Sequence, residues 1–144
     1  MQVFIIGSPL DTAKSLDKKR LNKQIIECQQ ILNAIDGKTK SWANHPCTVQ
    51  YREHKNWLIN YLNTLVHYRR YIVLCDTFYL NAARICNCCA NKVIPPFHTS
   101  EYIDNMKKRL YTKNNEHYKQ WESLGESYEN WYWVNNQWKI YKQK

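Results

Sequence analysis

The stretch Ser15 to Asp36, SLDKKRLNKQIIECQQILNAID, sets how this chain is expected to fold. Leu21, Ile25, Cys28, Leu32 and Ile35 recur at alternating intervals of four and three, which puts them on one side of a helix. Arg20, Lys23 and Glu27 recur at similar spacing on a different side. Glu27 therefore has one cation a turn behind it and another two turns behind. A carboxylate held beside an apolar seam suits a base or the stabilisation of a cationic intermediate. The same spacing also makes Lys23 and Glu27 an ordinary surface pair, contributing a few tenths of a kcal/mol. Ser15 or Asp17 can cap this helix, and Gly37 can stop it.

Upstream lies MQVFII, residues 1–6, ended by the turn residues Gly7-Ser8-Pro9. It reads as a strand or as an extended arm tucked against the core, with Asp11 or Thr12 capping a short lead-in helix. Downstream, residues 38–46 form a basic polar loop holding Trp42 and His45. Pro46 then opens a second helical pattern, since proline suits a first helical position. That pattern runs through Tyr51, Leu58, Tyr61, Leu62, Leu65, Tyr68 and Ile72 to about Leu74, as one helix or as two with a break near Tyr71, with Arg52, Lys55, Arg69 and Arg70 on its other face. A third helix is expected over 76–89, ended by Val93-Ile94-Pro95-Pro96. A short basic helix follows from about Glu101 to Leu110, with Thr99 or Ser100 as its cap. Residues 114–144 hold many aromatics and few aliphatics, and read as irregular structure or short strands wrapped over the helices. The expectation is an all-α, mainly helical, compact single domain over 1–144 with an irregular, aromatic-rich C-terminal segment.

Charge narrows the partner. Lys+Arg 21 against Asp+Glu 12 gives +9 in 144 residues, and aromatics make up 14%, with six Trp and eleven Tyr. That balance suits a partner carrying phosphates and flat rings. Three glycines in the whole chain exclude the Gly-rich loops that cradle nucleotide phosphates, and no nucleophile-elbow or kinase pattern occurs. The histidines at 45, 54, 67, 98 and 117 lack the helical pairing of a metalloprotease. Six cysteines without an export signal read as reduced thiols. Cys86, Cys88 and Cys89, with Cys75 before and His98 after, would point in different directions on a helix, so no metal or other cofactor is expected. No run approaches the eighteen or so apolar residues of a membrane span. The expected location is cytoplasmic, of the bacterial host if the gene is viral.

Five stretches then occur in a recognisable order: L-D-x-x-R-L-x-K-Q-x-x-E-x-x-Q-I-L (Leu16 to Leu32), W-x-N-H-P (Trp42 to Pro46), P-F-H-x-S (Pro96 to Ser100), Lys113 to Tyr118, and the aromatic run ending at Trp133. Together they resemble small phage and bacterial proteins of the pyrimidine-dimer DNA glycosylase-like family. The resemblance implies a compact all-helical domain that excises a damaged or modified pyrimidine from DNA, with or without AP-lyase activity. It implies an N-terminal amine as nucleophile, a Schiff base with the sugar, and a Glu that stabilises the intermediate. Glu27 takes that Glu position, and Arg20 stands where the family's enzymes carry a His. The chain begins Met1-Gln2, where those enzymes expose a small second residue, so the amine here would be that of Met1. Contacts to DNA are expected from Lys19, Lys23, Trp42, Asn44, His45, Arg52, His98, Ser100, Arg109 and Trp133. A reading of a different class is a non-catalytic protein that sequesters a nucleotide-derived small molecule in the same basic, aromatic pocket.

Overall fold

The computed structural model describes residues 2–70, 93–127 and 131–140. Over these the chain forms helices α1 (Pro9–Ser15), α2 (Lys18–Ile35), α3 (Pro46–Tyr51), α4 (Lys55–Tyr68) and α5 (Ser100–Lys113), then a hairpin of β1 (Trp131–Val134) and β2 (Gln137–Ile140). Single 3-10 segments occur at Arg52–His54 and Lys119–Leu124. The architecture is mainly helical, as the periodicity implies. The helix expected over 76–89, and with it Cys75, Cys86, Cys88 and Cys89, lies outside the described residues.

α2 is the centre of the fold. Leu21, Ile25, Cys28, Ile31 and Leu32 are buried, and the helix packs against α3 and α4. Gly37 ends it with φ +74°, a left-handed conformation that favours glycine. Asp17 holds the N-cap position without a side-chain capping bond. Its carboxylate instead accepts from the Tyr118 hydroxyl, which in turn accepts from the Asp17 amide at 2.8 Å. The start of α2 thereby fixes the tail of the chain, and burial beside Asp17 pushes the Tyr118 phenol up. For α1 the cap is Ser8, not Asp11 or Thr12. Ser8 and Asp11 form a reciprocal capping box, and buried Thr12 turns inward to accept from the Ile6 amide.

The N-terminal segment is an extended arm, and one buried side chain explains why it lies along α2. Gln24 accepts from the Phe4 amide at 2.6 Å and donates to the Gln2 carbonyl at 2.7 Å. It thus pairs with residues two apart, as a neighbouring strand would. Tyr61 of α4 completes the arrangement, donating to the Phe4 carbonyl at 2.7 Å and lying 3.0 Å from the same Gln24 oxygen. Val3 and Ile5 enter the core on the arm's other side.

The second helical pattern is not one helix. It breaks at Arg52–His54, three polar residues with little packing to enforce a straight path, and Arg52 reaches back to donate to the Ala43 carbonyl at 2.7 Å. Around the break, Tyr51, Trp57, Phe97, His98 and Tyr102 form a ring cluster. Part of the C-terminal segment is ordered rather than irregular. β1 and β2 pair with Trp133 opposite Trp138, and Asn135 and Asn136, at φ 53° and 60°, supply the left-handed two-residue turn. The hairpin docks through the Trp133 amide, which donates to Gln50 of α3 at 2.7 Å.

His98 is mostly buried in that cluster, hydrogen-bonded to the Tyr51 hydroxyl at 2.8 Å. Burial, reinforced by His54, pushes its pKa down to about 3. The unfolded chain takes up this proton near pH 6.5, the folded chain only near 3, so the folded state's advantage shrinks as pH falls through that window. The urea midpoint of the native protein is expected to drop more steeply between those limits than that of His98→Gln, which accepts a hydrogen bond but does not titrate. Parallel midpoint-versus-pH curves for the two would show that His98 is not held neutral.

Candidate active site

Glu27 sits where the arm crosses α2. One carboxylate oxygen accepts from the Gln2 amide at 3.0 Å; the other lies 3.8 Å from the Lys23 ammonium. The surface pair allowed by the spacing therefore exists, but its two ends differ. The Lys23 side chain is 60% exposed, whereas that of Glu27 is 13% exposed. Anchored by Gln24, the arm brings the start of the chain to this carboxylate. Met1 itself lies outside the described residues.

Cations converge on the same place. Arg20 and Lys23 come from α2; Arg109 and Lys113, four apart, come from the last turns of α5. The Lys113 pKa is lowered, first by burial and then by the charges of Arg20, Arg109 and Lys23, with Glu27 opposing them. Four positive groups within electrostatic reach of one another and of one carboxylate are an arrangement whose charge suits an anionic partner, with a negative spot inside it. The buried Nε of Arg20 has no hydrogen-bond partner among the described residues.

An aromatic path leads to this site from the surface. Trp42 is 44% exposed and adopts φ +65°, a region that an aromatic residue rarely enters. Its ring meets His45 edge-on at 5.4 Å, and His45 meets Tyr132 of β1 at 5.8 Å. His45 caps α3, its Nδ1 accepting from the Cys47 amide at 3.1 Å, which places any proton of the neutral ring on Nε2. Burial, and after it the charge of the chain's amino terminus, lowers the His45 pKa. Buried Tyr132 is pushed up by desolvation, with Arg109 and Glu27 close enough to act on it in opposite directions. Beside it, Cys47 is fully buried and pushed up to about 12, chiefly by desolvation, which keeps it a thiol.

Among the residues expected from the sequence, the structure thus gathers Arg20, Lys23, Glu27 and Arg109, with His45 and Trp42 on the approach. Asn44 is exposed in the same loop as Trp42. Arg52, which holds that loop through Ala43, and Trp133 line a separate open cavity of about 470 Å³ with Gln50, His54, Asn135 and Asn136. Lys19 is exposed on the first turn of α2, and Ser100 is exposed at the start of α5 behind the cap residue Thr99. His98 belongs to the ring cluster described above. Gln2, Gln24, Lys113 and Tyr132 were not anticipated as parts of the site. Gln24 carries a readable signal, being a polar residue beside Leu21, Ile25 and Cys28 on an otherwise apolar face.

Residues 1–69 match the model of the family described as pyrimidine dimer DNA glycosylase. The matched stretch includes α1 to α4 and the Glu27 helix. No curated protein and no solved structure is a match. Among the described residues, no helix is long and apolar enough to cross a membrane.

Proposed function

We propose that this chain is a pyrimidine dimer DNA glycosylase-like enzyme that excises a damaged or modified pyrimidine, with Glu27 as the carboxylate that stabilises the cationic sugar. The observation that carries this reading is the contact between Glu27 and the Gln2 amide, one residue from an amine. An α-amino group titrates near about 7.7–8.0, so a useful fraction is neutral at pH 7 and able to attack. The neutral Met1 amine attacks C1′ of the sugar. The bond from C1′ to the base breaks, and its electron pair leaves with the base, which takes up a proton. The ammonium so formed loses a proton; the nitrogen lone pair then forms the C1′=N bond of the iminium as the C1′–O4′ bond breaks, its electron pair going to O4′, which takes up a proton. The Glu27 carboxylate faces the positive charge that develops at C1′ and persists on the iminium. Arg20, Lys23, Arg109 and Lys113 hold the flanking phosphates, and Trp42 offers a surface for stacking as the nucleotide leaves the duplex.

Borohydride trapping tests the covalent part. The protein is expected to form a reducible adduct with duplex DNA bearing an abasic site, and intact-mass mapping is expected to put that adduct on Met1. An adduct on Lys113, the other amine near Glu27, would keep the lyase chemistry and reassign the nucleophile. DNA binding without an adduct would leave a glycosylase that uses water. Absence of DNA binding would overturn the proposal in favour of the small-nucleotide reading.

A further inference from the structure

Trp42 stands where the fold gives no reason for a tryptophan. The Ala43 amide donates to the Lys40 carbonyl at 3.4 Å and the His45 amide to the Trp42 carbonyl at 3.1 Å, so two turns overlap on this residue. At φ +65° it holds the third place of the first turn, where glycine or asparagine is the usual choice. The ring gains little by burial, being 44% exposed, and among the described residues it meets one other ring, His45. An unfavourable backbone conformation that packing does not compensate is a signature of a side chain kept for function.

The surroundings identify the partner. No carboxylate occurs between Asp36 and Glu53, while Lys38 and Lys40 are exposed in the same loop as Trp42. A flat ring among cations matches a nucleic-acid strand, with phosphates for the ammonium groups and a base face for the indole. In an intact duplex each base face is covered by its neighbour, so the ring finds a partner only where the stack is interrupted. Arg52 keeps the ring in place. Its guanidinium donates to the Ala43 carbonyl at 2.7 Å, which ties the strained turn to the end of α3. His45, the cap of α3, ties the turn from its other side.

We propose that Trp42 is a stacking platform for a base face exposed at an interruption of the DNA stack, and that Arg52 is the positioning residue that holds this platform out. Arg52 then serves DNA recognition through the loop and not through a phosphate. The assignment deepens the glycosylase reading above and rests on its DNA substrate.

The test measures the affinity of the full chain for a duplex with a one-nucleotide gap and for the same duplex intact, over a range of salt. Wild type is expected to prefer the gap by roughly 5- to 150-fold, the value of stacking one base on an aromatic ring. Trp42→Gly, which suits the left-handed turn, is expected to abolish that preference with Tm unchanged or raised. Arg52→Met keeps the stem and removes the guanidinium. It is expected to bring the preference down toward that of Trp42→Gly while the salt slope on intact duplex stays the same. A gap preference that survives Trp42→Gly would overturn the platform. Equal losses by Arg52→Met on both duplexes, with the slope of log K against log salt shallower by about 0.9, would make Arg52 an ordinary phosphate contact and overturn its positioning role. Equal wild-type affinity for both duplexes would overturn this inference alone. A wild-type chain that binds neither would remove the glycosylase reading and this inference with it.

Discussion

Glu27→Gln is expected to lower base excision at least about 100-fold, the scale measured when one preorganised electrostatic group is removed from a reaction centre. The substitution is close to isosteric, and its amide oxygen can still accept from the Gln2 amide that now bonds a Glu27 oxygen at 3.0 Å. The arm therefore stays on α2. Loss of the Lys23 pair costs about 0–1 kcal/mol at most, since that ammonium is largely in solvent. What disappears is the negative charge proposed to face C1′. Affinity for undamaged duplex should rise slightly, because the carboxylate surrounded by Arg20, Arg109 and Lys113 repels phosphate. A rate loss with retained or tighter binding separates this role from a folding defect. Single-turnover excision by Glu27→Gln within a few-fold of wild type would remove Glu27 from the chemistry altogether.

The helix that carries Glu27 was legible because its apolar residues repeat at helical spacing over about four turns. The same logic found α4 and α5, and the Lys23–Glu27 pair follows from numbering alone. What spacing could not supply was the third dimension of the site. Lys113 lies eighty-six positions after Glu27 and reaches it only because α5 ends there. Tyr132 arrives on a strand whose turn, Asn135-Asn136, is a recognisable hairpin signal between aromatic runs. The break at Arg52–His54 was not legible, because Tyr51, Leu58 and Leu62 stay in phase across it and periodicity senses phase, not direction. His98 shows the opposite failure. A histidine after two prolines looks available for a phosphate, yet rings from Tyr51 of α3, Trp57 of α4, Phe97 beside it and Tyr102 of α5 surround it.

Gln24→Ala is expected to cost about 3–5 kcal/mol of folding stability, a large part of the ~5–15 kcal/mol that a domain has in total. The side chain is 2% exposed and joins three groups: the Phe4 amide, the Gln2 carbonyl and the Tyr61 hydroxyl. Tyr61 keeps a partner in the Phe4 carbonyl. The Phe4 amide and the Gln2 carbonyl lose theirs at a place water does not reach, at roughly 1–3 kcal/mol each, and the missing amide leaves a cavity beside Ile25 and Cys28. The alternative open to the chain is to release the arm and let water solvate those groups. That escape exposes Val3 and Ile5 and carries the Gln2 amide away from Glu27, so the variant loses excision even in molecules whose helices remain folded. Urea denaturation should show a lower midpoint, and heating a Tm lower by roughly 10 °C at this chain length. Hydrogen exchange locates the effect: the Phe4 amide should lose protection before the amides of α2 do. A loss below about 1 kcal/mol, with Phe4 still protected, would mean that Val3 and Ile5 hold the arm by burial alone. Because the arm joins the fold to the chemistry, Gln24 is predicted to be the residue through which a loss of stability and a loss of catalysis arrive together, while Glu27→Gln separates them.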